Sequence, residues 1–131
     1  MEDMVKKVEQ IRLEKKYNCA QCLVCAYADK LEIDEKTLFK LSEAFGGGVA
    51  GTGGLCGAVS GMCFVGGYLA SNGDISGKPN TYSTTRALIE EFQAKNGSVI
   101  CHELKGISGG KPMVSCMDCI KSAAAILEEH F

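Results

Sequence analysis

Eight cysteines in 131 residues are the side chains with the most chemistry to offer. They fall in groups. Cys19, Cys22 and Cys25 are spaced three apart, Cys56 and Cys63 flank a run of small residues, Cys101 precedes His102, and Cys116 and Cys119 form a late Cys-x-x-Cys pair. A thiolate is a nucleophile, a redox centre and a soft metal ligand. Such clustering therefore points to thiol redox chemistry or to metal ligation. The competing expectation is that cysteine, a small and readily buried side chain, only fills a tight core.

Spacing separates some of these uses. Cys19-x-x-Cys22-x-x-Cys25 has the spacing of a bacterial ferredoxin run, but it lies in an apolar helical segment with no Cys-Pro after it. Cys22-Leu23-Val24-Cys25 matches a thioredoxin-like pair in spacing alone, without a βαβ context. No Cys-x-x-Cys-His occurs for covalent haem. Helical pairs disfavour a structural zinc site, which wants knuckle-like turns. Gly46, Gly48 and Gly51 fit G-x-G-x-x-G, but after a helix rather than a strand, and no P-loop Gly-Lys-Ser/Thr is present.

The elements that must position these thiols read as helices. Val5, Val8, Ile11 and Leu13 predict an amphipathic first helix. Asn18 and Gln21 form a capping-box signature, which puts Cys19 at the first helical position, where orphan N–H groups and the helix dipole favour an anion. Cys19 is therefore expected to be a low-pKa thiol, in a helix running to about Leu31. Asp34 caps a third helix with Leu38, Phe39, Leu41 and Phe45 inward.

From Gly46 to Gly73 there is no charged residue, and eleven of the sixteen glycines lie there. Within it a buried helix is expected from about Leu55 to Ala70. Gly57 and Gly61 share one face, so that a neighbouring helix or a cofactor can come close. Asn80 or Pro79 opens a further helix with Tyr82, Thr85, Ile89 and Phe92 at helical spacing, closed by Asn96-Gly97. A short piece carries Cys101 and His102. A glycine-containing loop from Ile107 to Lys111 leads to Pro112 at the start of the last helix, with Cys116, Ile120, Ala124 and Leu127 on one stripe. The expected fold is all-α: a single domain over residues 1–131, a bundle of five to six helices around a central glycine-rich apolar helix.

Net charge is −2 with both signs interspersed, and Trp is absent, so no nucleic-acid footprint is expected. The apolar run is shorter than the roughly 20 residues of a spanning helix, so a membrane span is not expected. A charged N-terminal stretch without an apolar h-region is read as cytoplasmic rather than secreted. The apolar, glycine-rich face suits helix–helix contact, a homodimer included.

Asn18-Cys19-Ala20-Gln21, Cys56-Gly57-Ala58-Val59-Ser60-Gly61, Cys101-His102-Glu103-Leu104 and Cys116 occur in that order along the chain. The sequence thereby resembles the redox-active protein family named for its motif C-GCAxxG-C-C, with Cys56 here preceding rather than following Gly57. The resemblance implies a small helical protein in which Cys19, Cys56, Cys101 and Cys116 converge as the functional thiols. Some relatives are associated with electron transfer and an iron–sulfur centre. It follows that these four would ligate an iron–sulfur cluster, with Gly57, Ala58 and Gly61 leaving room for it and supplying N–H donors to sulfur. The alternatives are a metal-free thiol–disulfide oxidoreductase or redox sensor, with Cys19 attacking and Cys56 or another thiol resolving, and a helical domain of non-catalytic structural role. An unidentified redox partner is implied by either redox reading. The roles of Cys22, Cys25, Cys63 and Cys119 stay open.

Overall fold

A computed structural model describes residues 3–106 and 114–131. Among the described residues the fold is all-α, with eight α-helices in one domain. Helix α1 spans Met4–Lys15, α2 Cys19–Ala26, α3 Ala28–Leu31, α4 Glu35–Ser42, α5 Gly57–Ala70, α6 Lys78–Asn96, α7 Cys101–Leu104 and α8 Cys116–His130. The count exceeds five to six because α3 and α7 are separate single turns. The predicted loop from Ile107 to Lys111 and the helix start at Pro112 lie outside the described residues. No described helix is long and apolar enough to cross a membrane.

Local signals fix most boundaries. Asn18 Oδ1 accepts from the Gln21 N–H and Gln21 Oε1 from the Asn18 N–H, closing the capping box that starts α2. Asp3 and Asp34 cap α1 and α4 by accepting first-turn N–H groups on their carboxylates, without a reciprocal bond. Gly97, with φ +87°, ends α6.

The most enclosed element is α2. Every residue from Ala20 to Ala26 is buried, because α1, α4, α5 and α8 all pack on it. The α2–α5 approach depends on two glycines. A Cβ on Gly61 would stand 2.8 Å from Leu23 Cβ and 3.0 Å from the Ala20 carbonyl, and one on Gly57 would stand 3.0 Å from Cys19 Cβ. The partner that these glycines admit is therefore the α2 backbone. The core adds Val59, Met62 and Val65 from α5, Leu88 and Phe92 from α6, and the Ile120–Leu127 face of α8.

Two inward expectations fail: Leu41 and Phe45 are exposed, and so are Leu13 and Tyr82 of the predicted apolar stripes. On α6 it is Leu88 and Phe92 that are fully buried.

Candidate functional site: a cavity lined by five thiols

Three of the long helices begin at a cysteine or directly after one. Cys19 is the first residue of α2, Cys116 the first of α8, and Cys56 immediately precedes α5. Cys101 opens the single turn α7. Cys56 thus stands at the cap of α5 rather than inside it, because α5 starts at Gly57, two residues later than the expected start at Leu55. An isolated antiparallel bridge between Leu55 and Ile100 sets Cys56 beside Cys101. The Cys56 N–H donates to Val99 O at 2.7 Å and the Cys101 N–H to Gly54 O at 2.7 Å.

A loop between α4 and α5 closes over this bridge. Gly47, Gly48, Val49, Ala50 and Gly51 are all left-handed, with φ from +52° to +76°. That conformation disfavours L-residues, and most of all a β-branched one such as Val49. Backbone hydrogen bonds hold it: Ala50 to Ala44 O, Gly53 to Gly47 O and Gly54 to Gly48 O, at 2.7–3.0 Å. Gly48 is wedged against Cys101, where a Cβ would come within 2.8 Å of Cys101 Cβ.

The result is a cavity of about 20 Å³ lined by Cys19, Cys56, Cys101, Cys116 and Cys119, together with Gly47, Gly57, Leu104, Lys105 and Val114. All four thiols singled out by the sequence motif line it, and Cys119 joins them. Cys19 and Cys116 are half-buried, whereas Cys56, Cys101 and Cys119 are buried. Cys119 could have been found from its i, i+3 spacing to Cys116, which puts both on one side of α8.

The remaining thiols are elsewhere. Cys22 Sγ lies 3.4 Å from the Tyr17 carbonyl and Cys25 Sγ 3.8 Å from the Glu35 carbonyl. Burial pushes both pKa values up, to about 11 and about 12. Cys63, one α5 face away from Cys56, borders a separate apolar groove with Ala20, Phe45, Leu55 and Phe64. Ala58 is fully buried in the core. A larger cleft of about 860 Å³ beside Tyr27, between α1 and α8, contains no thiol.

Within the cavity the thiols influence one another in pairs. The neighbouring Cys19 thiol holds Cys116 down to about 6, helped by the nearby Lys105 and Arg12 cations. Cys116 and burial in turn push Cys19 up. This reverses the expectation that Cys19 is the low-pKa thiol. Both sulfurs sit at a helix start, so the helix dipole does not choose between them, and the contact with Cys116 leaves the proton on Cys19. In the second pair the neighbouring Cys119 thiol lowers Cys56 to about 7. The Ala58 and Val59 N–H groups of the first turn of α5 also favour the Cys56 thiolate, although neither makes a formal capping bond. Cys119 is raised by Cys56 and by burial. Burial raises Cys101, against the opposing Lys105 cation.

For an iron–sulfur cluster the donor set fits in type and number, since thiolates are the usual ligands. The space does not fit. A 20 Å³ cavity admits about one water. Among the described residues no three Cys, His, Asp or Glu side chains are gathered as ligands to one ion.

The whole-chain comparison agrees with the cysteine pattern. The family described as "Putative redox-active protein (C_GCAxxG_C_C)" matches residues 17–130. No curated protein and no solved structure matches the chain.

Proposed function

The chain belongs to the C_GCAxxG_C_C family of redox-active proteins, and we propose that its reaction is a two-electron thiol–disulfide exchange at Cys19 and Cys116. The observation that carries this reading is the shared cavity: two half-buried thiols from opposite ends of the chain line it together at the starts of α2 and α8.

The chemistry follows from the two pKa directions. Cys116, at about 6, is largely thiolate at neutral pH and attacks one sulfur of a disulfide. The substrate's other sulfur leaves as a thiolate and takes a proton. In the mixed disulfide Cys116 no longer carries charge, so the interaction that kept the proton on Cys19 is gone. Cys19 then loses that proton and attacks Cys116 Sγ, releasing the second substrate thiol. The substrate gains two electrons and two protons, and the protein gains a Cys19–Cys116 disulfide. Arg12 and Lys105 beside the pair stabilise the attacking thiolate.

The test is a titration of the full chain in dithiothreitol redox buffers, with acid quench, alkylation of free thiols and peptide mapping. A reversible Cys19–Cys116 disulfide forming between roughly −320 and −180 mV, the span of cellular thiol poise, is expected. If neither thiol oxidises reversibly in that window, the reading fails.

A second reading is ligation of an iron–sulfur cluster by Cys19, Cys56, Cys101 and Cys116, which would supply one-electron transfer. What favours it is the arrival of four thiols from four separate helix starts. It requires the two thiol pairs to part. Anaerobic reconstitution with iron and sulfide, read by visible absorption and metal analysis, decides: a colourless, iron-free product removes this reading and leaves the first.

A further inference from the structure

The exchanging pair does not use Cys119, and the four-cysteine motif does not include it. Yet Cys119 is only 2% exposed and lines the same cavity as the motif thiols, Cys56 among them. It lies one helical turn beyond Cys116 on α8. One helix therefore delivers a thiol to each pair: Cys116 on the more exposed side against Cys19, and Cys119 in the interior against Cys56.

We propose that Cys56 and Cys119 are a second, interior dithiol that exchanges disulfides with the outer Cys19–Cys116 pair, so that the chain stores four electrons rather than two. The inference rests on the outer pair reacting with a disulfide substrate as set out above. Once the outer pair is oxidised, the Cys56 thiolate attacks Cys116 Sγ. The outer S–S bond breaks, a Cys56–Cys116 bond forms, and Cys19 leaves as a thiolate that takes up a proton. Cys119 loses its proton and attacks Cys56 Sγ, and Cys116 leaves. One disulfide is broken and one formed, and one proton passes from Cys119 to Cys19, with Cys116 left as the thiolate. No external oxidant enters this step. A second molecule of disulfide substrate then reoxidises the outer pair.

The geometry favours this order. The outer thiols are the accessible ones, and all four line one small cavity. The inner thiols are nine-tenths or more buried, at 5% and 2% exposure, so a bulky disulfide reaches them only through the outer pair.

The experiment titrates the reduced full chain with oxidised glutathione, blocks remaining thiols with a mass-tagged maleimide, and counts tags by intact mass before mapping the linked peptides. The wild type is expected to lose two free thiols and then four, with the second linkage mapped to Cys56–Cys119. In Cys119→Ala and Cys119→Ser the first step should remain at Cys19–Cys116 and the second should be lost. A wild type that stops at two, a second linkage from Cys56 to Cys101, or a second step that survives in both variants overturns the inner couple alone. Absence of any linkage in the wild type instead overturns the outer-pair reaction, and the inner couple with it. The wild-type linkage map decides the question even if neither variant folds.

Discussion

Replacing Cys19 by alanine removes the neighbouring thiol that is the main cause of the low Cys116 pKa, while Arg12, Lys105 and the helix start remain. A hydrogen bond to a charged group contributes about 1.5–3 kcal/mol, and about 1.4 kcal/mol corresponds to one pKa unit. The Cys116 pKa should therefore rise from about 6 by about one to two units. At pH 5 this cuts the thiolate population roughly ten- to a hundredfold. A more basic thiolate is also the stronger nucleophile, with a Brønsted slope near 0.5, which returns about three- to tenfold. The net expectation is that Cys116 alkylates about three- to tenfold more slowly at pH 5 and faster than wild type at pH 9, where both are ionised. The assay is pulsed iodoacetamide labelling from pH 4.5 to 9.5 under reductant-free, anaerobic conditions, followed by heavy-isotope labelling after unfolding and mass mapping. Rate profiles that cross between wild type and Cys19→Ala support the pairing. Superimposable profiles, or a wild-type Cys116 that ionises only near the ordinary thiol value of 9.0, would refute it.

Other consequences can be checked separately. Gly61→Ala should destabilise the fold by about 1–3 kcal/mol, because its Cβ meets the α2 backbone. Gly67→Ala, whose Cβ meets only Thr85 Oγ1 at 3.9 Å and Thr81 Cγ2 at 4.0 Å, should stabilise by up to about 1 kcal/mol through helix propensity; thermal melts of the two variants should move in opposite directions. Each thiol pair of the folded, reduced protein releases one proton near pH 6–7 and keeps the other above 9, whereas unfolded thiols ionise together near 9. Between about pH 6 and 9 the unfolded chain thus binds more protons and stability rises with pH, and above 9 it falls. Urea titrations of the reduced protein should show a maximum near pH 9, and a monotonic fall from pH 6 would contradict the pairing. Finally, Gly48→Ala, at φ +75° and pressed against Cys101, should lower the melting temperature and raise the alkylation rate of Cys101 together.

What could be read from the sequence was what is local, or what the cysteine motif encodes. The Asn18–Gln21 capping box is a four-residue signal, and it placed Cys19 correctly at the start of α2. The order of the four motif cysteines marked out the thiols that share the cavity. Properties set by contacts across the fold were not legible. The direction of the Cys19 shift depends on Cys116, almost a hundred residues away, and local capping logic gave the opposite sign. Cys119 was visible as a helical neighbour of Cys116, but nothing local says that it meets Cys56. Helical spacing made Leu41 and Phe45 look inward, since periodicity identifies an apolar stripe and not whether another helix covers it. The glycines between 46 and 54 suit a left-handed course, but nothing in the sequence puts Val49 and Ala50 on it.

The meeting of Cys19 with Cys116 also ties redox state to folding. A disulfide between them would enclose most of the chain in one covalent loop on the order of 100 residues, and closing a loop of that size stabilises a fold by up to about 4–5 kcal/mol. By thermodynamic linkage the same energy enters the reduction potential, at about 30 mV per 1.4 kcal/mol. The folded chain would then hold its disulfide at a potential on the order of 100 mV below that of the unfolded one. Oxidation would act as a clasp between the two ends of the molecule, and any strain that loosens α2 from α8 would make the protein a stronger oxidant.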